Sequence, residues 1–202
     1  TPQEVDLLLQ AAARLEPQDS LRPHMYSALF ALLYVTGLRI SEVLALEFDD
    51  FNSDTLLVRK TKFKKSRRIP LHQTAVAGIR SYLERRRRVT TENEFLFISV
   101  RGRRLDKSSV GWVFRRLLRS IGLSPGRLGR RPRIHDLRHA FATRALETCP
   151  EGRDNVGRHM LALSTYLGHA HISDTYWYLE ATPTLMRDIA GSCEALMEEG
   201  LQ

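Results

Sequence analysis

Apolar residues recur every three or four positions along most of the chain, which is the spacing that places them on one face of an α-helix. Caps and breakers divide the pattern into separate helices: Thr1, Pro2 and Glu4 form a capping box at the start, and Gly37 follows the second helix. The chain is therefore predicted to be mostly helical. The predicted helices cover residues 2–15, 23–35, 41–46, 73–88, 107–121, 135–148, 159–168, a segment from 173 onward, and 183–198.

Two short segments instead have the composition of β-strands. Residues 55–58 (TLLV) and 68–71 (RIPL) flank the basic turn KTKFKKSR, which predicts an antiparallel hairpin, and residues 95–98 (FLFI) predict a third short strand. Together these elements predict an α+β fold, mostly α-helical with a small antiparallel β-sheet, in a single domain over residues 1–202.

Composition narrows the class of protein. The chain has 202 residues, of which 43% are hydrophobic, enough to bury a core. Its formal charge of +8 favours a polyanionic partner, with nucleic acid first. The two cysteines, Cys149 and Cys193, form no CxxC pair, so we expect a reducing, intracellular setting. The longest apolar run, residues 28–35, is too short to span a membrane. Because the first residue is Thr1 rather than Met, we expect a part of a longer protein.

One predicted helix combines a core face with charged groups. In RIHDLRHAFATRAL, Leu137 and Phe141 belong to an apolar stripe, whereas His135 and Arg138, three positions apart, share another face. A lone histidine beside an apolar face is more often a satisfied core residue than a catalytic one. We nevertheless interpret this polar stripe as facing an anion site, because three other segments carry similar groups.

These segments are residues 36–46, 60–71 and 167–179, which contain Arg39, several lysines, His169 and Tyr178. A guanidinium can hold two oxygens of an anion at once and stays charged, which suits a phosphate. Fixed cations also stabilise the charge that develops in phosphoryl transfer. A tyrosine hydroxyl is a poor nucleophile unless cations or a base help it ionise, and this set of residues offers such helpers.

In order and spacing, these segments resemble the motifs of the tyrosine recombinase (phage integrase) family across nearly the whole chain. TGLRISE resembles the first arginine motif and gives Arg39, and HDLRH resembles the H-x-x-R motif and gives His135 and Arg138. LGH, with a tyrosine nine residues after His169, resembles the last motif and gives Tyr178 as the nucleophile. The resemblance implies the catalytic-domain fold of that family.

The resemblance also implies an activity. A tyrosine recombinase cleaves and rejoins DNA strands through a 3′-phosphotyrosyl intermediate, without a metal or ATP, so no cofactor is expected. In the family a hairpin lysine donates a proton to the leaving 5′ oxygen, and Lys62 occupies the matching place, eight residues before Pro70. The neighbouring lysines are alternatives, and the turn lacks the glycines common there.

Tyr176 and Tyr166 compete with Tyr178 as the nucleophile. If Tyr176 and Tyr178 lie on one helix, they point about 200° apart, so only one of them can face the site. The spacing from His169 favours Tyr178. His139 and His171 are interpreted as structural or supporting residues.

Other basic residues lie on turns that flank the motifs and are candidates for contacts with DNA phosphates. For any one of them, a solvated surface side chain is an equally good interpretation. They are Lys60, Lys64, Lys65, Arg67, Arg68, Arg103, Arg104, Arg130, Arg131 and Arg133.

Three alternative functions remain open at this point. A type IB topoisomerase uses similar residues to relax DNA without exchanging strands. A metal hydrolase could use His135, His139, His169 and His171 as ligands, but it gives Arg39 no role. The third is a DNA-binding module that has lost catalysis.

The resemblance implies double-stranded DNA as the partner and a homo-tetramer on two DNA duplexes, with a monomer or weak oligomer in the absence of DNA. The protein is then expected to be cytoplasmic, associated with a bacterial nucleoid or encoded by a phage or mobile element. We expect the family's amino-terminal DNA-clamping domain to be absent from this chain. We expect residues 184–202 to pack on a neighbouring subunit. A polar loop is predicted over residues 149–158. The longer stretch 147–158 is interpreted as a surface loop that meets DNA or a neighbouring subunit, and a passive insertion is an equally good interpretation.

Overall fold

Helices dominate the part of the chain that the structure describes, as the sequence predicts. This computed structural model describes residues 1–59, 66–89, 92–123, 132–148, 153–169, 171, 173–176 and 178. The helices are α1 (Pro2–Ala13), α2 (Leu21–Thr36), α3 (Ile40–Val43), α4 (Gln73–Arg86), α5 (Lys107–Ser120), α6 (His135–Glu147), α7 (Arg153–Leu167) and α8 (Ser173–Tyr176). The strands are β1 (Phe51–Asn52), β2 (Thr55–Val58) and β3 (Arg67–Pro70).

The helix ends carry the signals expected from the sequence. The Thr1 hydroxyl accepts a hydrogen bond from the Glu4 N–H at 3.3 Å, which completes the capping box of α1. Gly37 ends α2 with φ +60°, and its N–H donates to the Leu33 carbonyl at 3.0 Å. Glycine suits this position because it has no Cβ to clash in the left-handed region. The Asp106 side chain caps α5.

The sheet is a three-stranded antiparallel meander in the order β1-β2-β3. Leu56 of β2 pairs with Ile69 of β3, and both are buried, so one face of the hairpin joins the core. Strand β1 was not predicted. The strand predicted over residues 95–98 is wrong: Phe95 and Ile98 form only isolated bridges, to Glu47 and Arg104.

The chain divides into two compact units, residues 1–138 and residues 139–202. In the first unit, α2 packs against α1 and α4, and its Leu29 and Leu33 are fully buried. The ring of Phe30 meets Phe114 of α5 edge-on at 5.5 Å between centroids. Within the described residues, no helix is long and apolar enough to cross a membrane.

In the second unit, α6 and α7 contribute to one hydrophobic cluster. Its buried members include Ala142, Leu146, Met160, Leu163 and Tyr178. The prediction that the loop extends to residue 158 is wrong, because α7 begins at Arg153 and its Val156 packs against this cluster. Residues 184–202 lie outside the described residues, so their packing stays a prediction.

Candidate active site

Arg39 lies at the N-terminal end of α3, immediately after the turn that closes α2. Its backbone N–H donates to the Glu42 carboxylate at 2.9 Å, and its Nη1 donates to the same carboxylate at 3.2 Å. The local sequence explains this fold, because Gly37 ends one helix and Glu42 caps the next within a few residues. The Arg39 side chain is 29% exposed.

Glu42 binds a second arginine from the hairpin. Arg67, the first residue of β3, donates from Nη1 and Nη2 to the two carboxylate oxygens of Glu42 at 3.1 and 3.0 Å. Burial by itself raises the pKa of the Glu42 carboxyl, but hydrogen bonds from Arg67 and from the Arg39 backbone, with both positive charges, bring it below its ordinary value. Glu42 is therefore an ionised carboxylate held between two arginines.

Arg138 is the buried cation of α6, with only 2% of its surface exposed. Its Nη1 donates to the Gly37 carbonyl at 2.6 Å, and Gly37 comes two residues before Arg39 in the chain. The same α2–α3 turn thus holds Arg39 and receives Arg138. This placement agrees with the interpretation of the polar stripe on α6, because a buried guanidinium needs acceptors.

His135 is the first residue of α6 and is exposed. The turn before it is fixed by the Asp136 carboxylate, which accepts from the Arg133 N–H at 2.7 Å. The imidazole is therefore presented at the start of the same helix that carries Arg138. Its catalytic role stays a prediction.

In the second unit, Tyr178 is buried, with 5% of its surface exposed. Its ring stacks on His169, with centroids 6.1 Å apart and an interplanar angle of 10°. The ring of His139 lies 5.3 Å from it on a tilted plane. Tyr178 follows α8 in a turn rather than lying within a helix, which corrects the geometry assumed from the sequence. Two imidazole rings thus lie next to the ring of Tyr178.

His169 is oriented by a residue that the sequence analysis missed. Its Nδ1 lies 2.8 Å from the Thr175 hydroxyl, which is completely buried, and its backbone N–H donates to Ser164 at 3.0 Å. Nothing in the local sequence pattern around Thr175 indicates a bond to a histidine six positions away. Of the competing tyrosines, Tyr166 stacks on Phe141 at 5.4 Å. The side chain of Tyr176 lies outside the described residues.

The candidate DNA contacts differ in exposure. Arg68, Arg103, Arg104 and Arg133 are exposed, as a phosphate contact requires. Arg67 is only 15% exposed and binds Glu42 instead. Among the described residues, no three His, Cys, Asp or Glu side chains are grouped in a way that could hold a metal ion. The remaining candidates lie outside the described residues: Lys60, Lys62, Lys64, Lys65, Arg130 and Arg131.

The chain is similar to known proteins over most of its length. The model of the phage integrase family matches residues 1–184. The chain belongs to this family. A Sinorhizobium fredii protein named as an integrase/recombinase, y4rB, is 40% identical over 98% of the chain and 65% of its own length. The tyrosine recombinase XerD of Halalkalibacterium halodurans is 32% identical, over 94% of the chain and 59% of the relative. This integrase-family chain therefore spans about three fifths of the length of these relatives.

Solved structures show the same fold. The crystal structure of XerA recombinase superimposes with a TM-score of 0.74 and 25% identity, over 95% of this chain and 62% of that one. XerH, in its post-cleavage complex with a difH substrate, gives a TM-score of 0.72 and 23% identity, over 95% of this chain and 52% of that one. The predicted fold, mostly helical with a small antiparallel sheet and of the tyrosine recombinase catalytic type, is thereby confirmed.

Proposed function

We propose that this chain is the catalytic part of a site-specific DNA recombinase that works through a covalent 3′-phosphotyrosyl intermediate. The observation that carries the proposal is the attachment of Arg39 and Arg138 to one turn, Gly37–Glu42, in a chain of the integrase family. Two permanent cations fixed at one turn suit a scissile phosphate, whose oxygens gain charge as the reaction proceeds.

Tyr178 is the proposed nucleophile. Its hydroxyl gives up its proton to a neighbouring base, and its oxygen forms a bond to the phosphorus as the bond from phosphorus to the 5′ oxygen breaks. Arg39 and Arg138 bind the phosphate oxygens, and His135 and His169 supply further hydrogen bonds to them. A 5′-hydroxyl from a partner strand later reverses the attack. Each step exchanges one phosphodiester for another, so the free energy of the bond is retained without ATP.

The leaving 5′ oxygen needs a proton, because an alkoxide is a poor leaving group. We assign that role to Lys62, with Lys60, Lys64 and Lys65 as alternatives in the same basic segment. Substituting each lysine singly and using a substrate with a 5′-phosphorothiolate distinguishes them. Sulfur leaves without protonation, so only the variant that lacks the true acid regains its cleavage rate on this substrate.

The proposed partner is double-stranded DNA, and the proposed assembly is a homo-tetramer on two duplexes. In support, XerH was solved with a difH substrate, and a lambda integrase tetramer was solved on a Holliday junction. We further propose that residues 184–202 pack on a neighbouring subunit. Deleting them should abolish assembly on DNA; assembly of unchanged size, measured by light scattering, contradicts this packing.

The deciding experiment uses a nicked DNA substrate that traps the covalent intermediate, with the complete protein and its natural site. The wild type and Tyr166→Phe should form a covalent protein–DNA band, whereas Tyr178→Phe should form none. If Tyr178→Phe forms the covalent band and Tyr176→Phe does not, the nucleophile is Tyr176. Joined recombinant products, as opposed to relaxed circles alone, separate this function from that of a type IB topoisomerase.

A further inference from the structure

Arg67 has the wrong surroundings for a residue that contacts DNA. Both of its terminal nitrogens are engaged by Glu42, at 3.1 and 3.0 Å, and its side chain is 15% exposed. Its Nε is buried and has no hydrogen-bond partner within the described part of the protein. The edge formed by its two terminal nitrogens is committed to the Glu42 carboxylate, and the Nε on the adjacent edge is buried, so neither edge is presented to a DNA phosphate.

The same carboxylate also holds Arg39. Glu42 Oε2 accepts from the Arg39 backbone N–H and from Arg67 Nη2, and Oε1 accepts from Nη1 of both arginines. The position of this carboxylate is therefore set by Arg67 as much as by Arg39. A shift of Glu42 would be passed directly to the start of α3 and to the Arg39 side chain.

Charge gives Arg67 a second role at this site. A lone carboxylate beside Arg39 would neutralise it and weaken its attraction for a phosphate. With Arg67 present, the three residues carry a net positive charge, because one arginine balances the carboxylate and the other is left over. The partly buried setting makes this balance matter more than it would in water.

We propose that Arg67 is a positioning residue for DNA cleavage, which acts through Glu42 to hold Arg39 and preserve its charge for the phosphate. This inference rests on the proposed function. It assigns Arg67 a role in the rate of the chemical step and none in the affinity for DNA.

The test measures three quantities separately in the complete protein: the rate of covalent-complex formation at saturating DNA, the dissociation constant with its salt dependence, and the thermal midpoint. The variants are Arg67→Gln, Arg67→Lys, Glu42→Gln and the double variant Glu42→Gln/Arg67→Gln. Arg68→Gln, the exposed neighbour on β3, serves as the comparison for a phosphate contact. Arg14→Gln, exposed at the end of α1, controls for the loss of one positive charge.

Arg67→Gln should lower the cleavage rate at saturating DNA about 10- to 100-fold, the effect of a small misplacement of a catalytic group, while the dissociation constant stays within about twofold. Arg67→Lys should be intermediate, because lysine restores the charge without the bidentate geometry. The double variant should be no slower than the slower single variant, since both changes break one linkage. Arg68→Gln should instead weaken binding and lower the salt slope by about 1.

Three results overturn the proposal. The first is a wild-type cleavage rate for Arg67→Gln at saturating DNA, whatever its thermal midpoint. The second is an effect on affinity and salt slope like that of Arg68→Gln. The third is a double variant whose loss in cleavage rate equals the product of the losses in the two single variants. If Arg67→Gln does not fold, Arg67→Lys and the double variant decide between these results. Absence of a covalent complex with the wild type refutes the proposed function itself, and this inference with it.

Discussion

The Nη1 atom of Arg138 donates a 2.6 Å hydrogen bond to the carbonyl of Gly37, a residue 101 positions earlier in the chain. The bond joins the first turn of α6 to the end of α2. Gly37, its acceptor, precedes Arg39 by two residues. The bond explains how a core helix tolerates a buried cation. Because this acceptor is a backbone carbonyl, the bond fixes the guanidinium to the end of α2.

Arg138→Met should therefore affect both stability and catalysis. Loss of the hydrogen bond leaves the Gly37 carbonyl without this donor, which should lower the free energy of unfolding by about 1–3 kcal/mol. The rate of covalent-complex formation should fall at least about 100-fold, as when one fixed donor to a charged transition state is removed. Urea denaturation and the nicked-DNA assay measure the two effects. Arg144→Met, exposed on the same helix, is the control; equal effects in both variants would contradict the special position of Arg138.

Two glycines offer a matched test of the backbone at this turn. Gly37 has φ +60°, where any Cβ is strained, so Gly37→Ala should lower the free energy of unfolding by about 1 kcal/mol. Gly157 lies within α7, and a Cβ there meets nothing within 4 Å. Gly157→Ala should raise the free energy of unfolding by about 0.5–1 kcal/mol. Chemical denaturation measures both variants. A lower free energy of unfolding for Gly37→Ala and a higher one for Gly157→Ala support the assignment of the turn, whereas stabilisation by Gly37→Ala would refute it.

Local signals allowed most of the helices to be predicted from sequence. The capping box at Thr1 and Glu4 and the glycine after α2 act within a few residues, so their effect does not depend on the rest of the fold. The failure at residues 95–98 has a different cause. The Leu96 N–H donates to the Leu46 carbonyl, and the Ile98 N–H donates to the Tyr82 hydroxyl. No local pattern reveals these partners.

The same contrast separates the predicted catalytic residues from the residues whose supporting role the sequence did not reveal. Arg39 and Arg138 stand out because charged residues interrupt an apolar pattern. Arg67 lies in a run of basic residues that looks solvated, and its partner Glu42 is 25 positions away. Thr175 is a common helix-capping residue type, and only the fold brings its hydroxyl to His169. Supporting residues of this kind are defined by distant contacts.

Glu42 should make stability depend on acidity. Its pKa lies below the ordinary value of 4.5, because hydrogen bonds from Arg67 and Arg39 and both positive charges outweigh burial. A lowered pKa in the folded state means that ionised Glu42 stabilises the fold above pH 4.5, and that this contribution is lost as the pH falls through the lowered pKa. The stability difference between the wild type and Glu42→Gln should be constant from pH 7 to about 5 and shrink below 4.5. Urea denaturation at several pH values measures it.

Glu84→Gln, an exposed substitution on α4, provides the control for that experiment. Its stability difference from the wild type should be small compared with that of Glu42→Gln at pH 7, because the side chain is not part of a buried pair. A Glu42→Gln difference that grows on acidification would show that the sign of the pKa shift is wrong.

Thr175 should control the orientation of His169. Thr175→Val keeps nearly the same shape but removes the hydroxyl that lies 2.8 Å from His169 Nδ1. The imidazole then loses a hydrogen-bond partner that helps to fix its ring orientation and tautomer, and the cleavage rate at saturating DNA should fall about tenfold. Thr165→Val, exposed on α7, should retain the wild-type rate. Single-turnover cleavage by the complete protein measures both variants. Because His169 also stacks on Tyr178, a Thr175→Val variant that cleaves as fast as Thr165→Val would show that the hydroxyl is structural only.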